Sequence, residues 1–90
     1  MTRSVDIRVT GRVQGVSFRY HAHAEARRLG VFGWVRNEPD GSVAAHLEGD
    51  PESVDAMLAW CREGPAYARV VGVDVRPAEP TDVRCFDVRD

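Results

Sequence analysis

The chain has 90 residues, enough for one domain with a single modest core hiding between roughly 60% and 70% of the unfolded surface. Its 43% hydrophobic and 29% charged content is ordinary for a globular protein, and a formal net charge of −2 excludes the basic character that gathers nucleic acid or acidic membrane. All twelve basic residues are Arg, which excludes Schiff-base and lysine-nucleophile chemistry.

Val5, Ile7 and Val9 alternate with Asp6, Arg8 and Thr10, which predicts a first strand with one wet face. A loop with two glycines follows, Gly11-Arg12-Val13-Gln14-Gly15-Val16-Ser17. Phe18, Ala22, Ala26 and Leu29 then recur at helical spacing, with Arg27 and Arg28 in the last turn and Gly30 as the stop. Strand, glycine loop and helix start together describe an anion cradle. Backbone N–H groups turn inward, and the first helical turn adds unpaired donors and a positive dipole end. Arg19 falls at the mouth of that helix, and its planar fork can grip two phosphate oxygens at once.

Residues 31 to 38 read as a second strand, with Val31, Gly33 and Val35 on one face and Phe32, Trp34 and Arg36 on the other. Pro39-Asp40-Gly41 is a turn signal, and Val43, Ala45 and Leu47 resume the alternation, so strands two and three form a hairpin. Asp50-Pro51-Glu52 opens a second helix, with Asp50 as the expected cap. Val54, Met57, Leu58 and Cys61 form its apolar stripe, Trp60 lies beside it, and Gly64-Pro65 ends it. Val71, Val73 and Val75 predict a fourth strand. Residues 85 to 89 predict a short last strand with Phe86 and Val88 facing inward.

The order is β-α-β-β-α-β with a short terminal strand. It predicts an α+β, ferredoxin-like split-βαβ sandwich: one domain over residues 1–90, an antiparallel sheet and two helices on one face. Strands one and two, joined through a helix, run in the same direction. Their C-terminal ends, and with them the glycine loop and Asn37, therefore share one rim.

Three stretches coincide in this order: Gly11-Arg12-Val13-Gln14-Gly15-Val16-Ser17-Phe18-Arg19, Gly33-Trp34-Val35-Arg36-Asn37 and Asp40-Gly41-Ser42-Val43. The chain thereby resembles the acylphosphatase family over nearly its whole length, including Glu48-Gly49 before the second helix and Gly64-Pro65 after it. The resemblance implies hydrolysis of acyl phosphates to a carboxylate and inorganic phosphate, without metal or cofactor. It places the family's catalytic arginine on Arg19, its catalytic asparagine on Asn37 and its phosphate loop on residues 11–17. It also places the short last strand next to strand two. Ser17 stands where a Cys, Met or aromatic residue is frequent in the family.

The residue types suit that reaction. The leaving carboxylate has a conjugate acid of pKa near roughly 4, so it departs without a general acid. What remains is grip on the phosphoryl oxygens, charge stabilisation and a placed water. Loop N–H groups and Arg19 can supply the first two. Asn37, with one acceptor and one amide donor, can place the water. The open rim implies few contacts to the acyl part and broad selectivity.

Other readings of the same residues are plainer. Taken alone, Arg19 is a surface arginine paired with Glu25 or Asp40, and Asn37 is a turn residue. Ser17 as a nucleophile lacks an implied His and is better a helix cap. His21 and His23 point to different helix faces and make poor metal partners. His46 is expected on the open face of the hairpin. Trp34 is open between stacking on a substrate and covering the sheet. An RNA-binding module would need aromatics and basic charge on the open faces of the central strands, where Asp6, Arg8, Thr10, Ser42, Ala44, His46 and Glu48 stand instead. A catalytically silent anion-binding module is the other alternative.

Cys61 and Cys85 form no CxxC and, with three His, no metal cluster; two free thiols are expected. The first residues carry no apolar signal region, and no apolar run approaches the roughly 20 residues of a membrane span. The expectation is a cytoplasmic monomer whose partners are a small acyl phosphate and inorganic phosphate, the latter as product and competitive inhibitor.

Overall fold

The computed structural model describes all residues, Met1–Asp90. The elements follow the expected order: β1 (Arg3–Arg12), α1 (Phe18–Leu29), β2 (Phe32–Asn37), β3 (Val43–Gly49), α2 (Pro51–Glu63), β4 (Arg69–Pro77) and β5 (Phe86–Arg89). They build one five-stranded sheet in the order β4-β1-β3-β2-β5. The β1–β3, β1–β4 and β2–β3 pairs are antiparallel, whereas β5 joins β2 in parallel, so the sheet is mixed. The core forms where the inward residues of the strands meet both helices. Val5, Ile7, Val9, Val35, Val43, Ala45 and Leu47 pack with Phe18, Ala22 and Ala26 of α1 and with Val54, Met57, Leu58 and Cys61 of α2. Trp60 closes the seam against Phe18, with ring centroids 5.3 Å apart.

The segment from β4 to β5 explains the parallel edge. It must carry the chain from one side of the sheet to the other, past the end where β1 begins and β3 finishes. There the Ala78 amide donates to the Ser4 carbonyl, and the amide and hydroxyl of Thr81 donate to the Glu48 carboxylate. Glu48 is almost fully buried. Burial works to raise its pKa, but hydrogen bonds from Thr81 and His46 outweigh it and bring the carboxyl down to about 2. Having crossed, β5 runs alongside β2 and finishes at the rim where Asn37 stands.

Three expectations change in detail. Val71 is 80% exposed while Val70 packs against the core, because the β1–β4 register shifts between Thr10 and Gly11. Such a bulge turns one residue out of the alternation. Asp50 precedes α2, but its side chain makes no capping hydrogen bond; its backbone carbonyl accepts from the Val54 amide instead. His46 does lie on the open face, yet it is buried there: Nδ1 is 2.6 Å from Asp6, Nε2 is 2.6 Å from Glu48, and Trp34 stacks over the ring. Trp34 is in turn flanked by the guanidinium groups of Arg36 and Arg89, 4.7 and 4.9 Å from its centroid. It covers the sheet.

Candidate active site

The rim is built where β1, β2 and β5 end. Gly11 and Arg12 still belong to β1, paired with Val70 and Arg69, so the loop proper begins at Val13. Val13 and Val16 are buried and anchor the loop in the core. Gly15 and Ser17 both adopt the left-handed conformation, with φ of 73° and 63°. Gly15 takes it without cost; Ser17 is one of only two non-glycine residues at positive φ. Ser17 occupies the cap position of α1, but its side chain makes no capping bond.

These turns leave the loop amides without partners beside a cleft. None of the amides of residues 13–20 donates a hydrogen bond to another backbone carbonyl or to a side chain of the chain, and the helical ladder begins with His21 donating to Ser17. A run of unspent N–H donors at a helix start is an anion-binding arrangement. The cleft beside it, about 550 Å³, is lined by Val13, Gly15, Ser17, Phe18, Arg19, Tyr20, Asn37 and Val88.

Arg19 is held from β5. Its Nη1 donates to the main-chain carbonyl of Arg89 at 2.7 Å and lies 3.8 Å from a carboxylate oxygen of Asp90. The ion pairs considered for it are taken elsewhere: Glu25 is bound by Arg28, and Asp40 by Arg8. The side chain of Arg19 is 31% exposed, enough for its remaining donors to meet a ligand. Asn37, half-buried at the end of β2, makes no side-chain hydrogen bond within the chain. Val88 pairs with Val35 in the β2–β5 ladder, yet it is 47% exposed and lines the cleft.

The loop and the β2–β3 turn are tied together. Gln14 Nε2 donates to the carbonyls of Glu38 (2.7 Å) and Ser42 (2.8 Å). Asp40 accepts from the amide and hydroxyl of Ser42 and from Arg8; these donors hold its carboxyl below the ordinary value. The donor loop is thereby fixed against the strand that carries Asn37. Nothing in the sequence names the partners of Gln14, because they are carbonyls far along the chain. The roles of the Arg89 carbonyl and Val88 are equally silent there.

Fold and cleft define a class: a ferredoxin-like protein with a cleft beside a glycine loop at one end of its sheet. Residues 5–88 match the acylphosphatase family model. The chain is 62% identical over 89 residues to an acylphosphatase of Nocardioides sp., covering 99% of this chain and 90% of that one. Its structure is similar to those of two further acylphosphatases. One is from Coxiella burnetii, with a TM-score of 0.94, 33% identity and coverage of 98% of this chain and 93% of that one. The other is from Bacillus subtilis, with a TM-score of 0.92, 30% identity and complete coverage of both chains. The chain belongs to the acylphosphatase family, and it is an enzyme that hydrolyses acyl phosphates. Its substrate is a small-molecule acyl phosphate.

Proposed function

We propose that the rim cleft is the active site, with the phosphoryl group held by the amides of residues 13–20 and by Arg19, and a water held by Asn37. The observation that carries this reading is the row of amides with no acceptor in the chain, ending beside a guanidinium fixed by the Arg89 carbonyl. Gly11 and Arg12 act from β1, where the bulge turns the strand into the loop. The loop amides keep all their donors for a bound phosphoryl group, and Arg19 keeps those that the Arg89 carbonyl does not take. Arg19 adds positive charge where negative charge accumulates on the phosphoryl oxygens.

The attacking water needs placement more than activation, because the departing carboxylate is already a good leaving group. The unengaged carboxamide of Asn37 offers one acceptor for a water proton and one donor group for a phosphoryl oxygen. The water proton passes to a phosphoryl oxygen, since no carboxylate or imidazole lines the cleft. Bond formation from water oxygen to phosphorus accompanies cleavage of the bond to the acyl oxygen, which leaves with its electron pair as carboxylate. The step uses no metal or cofactor.

On this proposal the domain acts in the cytoplasm as a monomer. No helix is long and apolar enough to cross a membrane. Competition tests the site. Inorganic phosphate should inhibit competitively against benzoyl phosphate, and excess chelator should leave the rate intact. Non-competitive inhibition would place the phosphate outside the cleft.

A further inference from the structure

We infer that Tyr20 and Val88 form an apolar seat for the acyl part of the substrate, so that the enzyme favours aromatic and branched, uncharged acyl phosphates. This rests on the reading of the rim cleft as the active site. It narrows the broad selectivity expected from an open rim.

Five large hydrophobic side chains are exposed in the whole chain, and two of them, Tyr20 at 73% and Val88 at 47%, line this one cleft. They reach it from different elements. Tyr20 follows Arg19 in the first turn of α1, and Val88 precedes Arg89, whose carbonyl holds the Arg19 guanidinium. Both share the cleft with the group proposed to grip the phosphoryl oxygens, Tyr20 largely exposed and Val88 about half exposed. The Tyr20 hydroxyl makes no hydrogen bond within the chain, so the ring is not held by it; its only aromatic neighbour is His21, edge to face. A ligand's apolar portion is the group that would gain from their exposure.

Charge supports the same choice. Arg19 is the only charged residue lining the cleft, and the phosphoryl group occupies it. An acyl group bearing its own carboxylate meets no further cation there, and Asp90, 3.8 Å from Arg19, repels it. Specificity thus combines an apolar contact for one class with an unmatched charge against the other. An acetyl group is too short to spread over both side chains, whereas a benzoyl ring can.

The test compares kcat/KM for benzoyl phosphate and acetyl phosphate in the full chain, for the wild type, Tyr20→Ala, Tyr20→Phe, Val88→Ala and Arg19→Gln, with circular dichroism on each. The benzoyl-to-acetyl ratio should fall about five-fold in Tyr20→Ala and about three-fold in Val88→Ala, as expected for partial loss of apolar contact. Tyr20→Phe should keep the ratio, because the ring and not the hydroxyl makes the contact. Arg19→Gln should lose both substrates together. A ratio unchanged in both alanine variants would overturn the seat while leaving the site intact. A Tyr20→Phe ratio as low as that of Tyr20→Ala would replace apolar contact by a hydrogen bond and overturn it too. If Arg19→Gln kept full activity on both substrates, the cleft would not be the active site, and the seat would fall with it.

Discussion

Arg19 and Arg89 are joined across the molecule: the guanidinium of one donates to the main-chain carbonyl of the other at 2.7 Å. One lies at the start of α1 and the other at the end of β5, so the catalytic candidate is oriented by the last strand to join the sheet. Removing Arg89 and Asp90 should leave the core intact, because Phe86 is the only buried residue of β5. It should lower kcat/KM by about 10-fold or more, as a charged hydrogen bond of about 1.5 kcal/mol or above is lost. Phosphate affinity should fall with it. Steady-state kinetics and phosphate inhibition on the shortened chain check this; unchanged kinetics would mean that Arg19 orients itself.

Gln14 gives a second prediction. Its amide bridges two carbonyls of the β2–β3 turn and fixes the loop against the strand that ends in Asn37. Gln14→Ala should leave the Ser42 and Glu38 carbonyls with only their backbone donors, the Glu38 and Gly41 amides, and loosen the loop. Turnover should fall about 10-fold, with a stability loss of about 1–2 kcal/mol measured by urea unfolding. Gln14→Glu should do no better, since a carboxylate has no N–H to offer the same carbonyls. A variant as active and stable as wild type would show that the loop holds its shape without this tie.

Stability should depend on pH through Glu48. Its carboxyl lies at about 2 in the folded chain, against an ordinary 4.5, because the donors Thr81 and His46 prevail over burial. A depressed folded-state pKa contributes stability that is fully present above the unfolded value and is lost as pH falls through the folded one. The stabilisation should therefore hold above about pH 4.5 and decline steadily toward pH 2. Thermal melts of wild type and Glu48→Gln should converge over that window, with the variant less stable at neutral pH. Parallel curves would show that Glu48 does not carry the effect.

Much of this was legible in local pattern. Period-two alternation gave β1, the Pro39-Asp40-Gly41 turn gave the hairpin, and Asp50-Pro51 gave the start of α2, since each signal acts within a few residues. The shared rim of the glycine loop and Asn37 followed from topology alone. What stayed hidden depends on partners distant in the chain. The bulge that exposes Val71 is a mismatch between β1 and β4, and neither strand announces it alone. His46 is buried because Asp6, Glu48 and Trp34, from three strands, close around it. Val88 alternates with Asp87 as the pattern predicts, yet it is half exposed and lines a cleft, which the alternation alone does not reveal. Ser17 reads as a side-chain cap, whereas its backbone conformation is what shapes the loop.

The central claim is that Arg19 binds while Asn37 serves the transition state. On this proposal Arg19 touches phosphoryl oxygens throughout, so Arg19→Ala should lose phosphate affinity and turnover together, and Arg19→Lys should restore little because an ammonium lacks the fork. Asn37 is proposed to place the water, which matters chiefly as the new bond forms. The most direct measurement is turnover and phosphate inhibition of folded Asn37→Ala beside Arg19→Ala. The predicted result is a turnover roughly 100-fold below wild type with near-normal phosphate affinity in Asn37→Ala, corresponding to about 3 kcal/mol of transition-state stabilisation. Normal turnover in Asn37→Ala, or a loss of phosphate binding as complete as in Arg19→Ala, would contradict it.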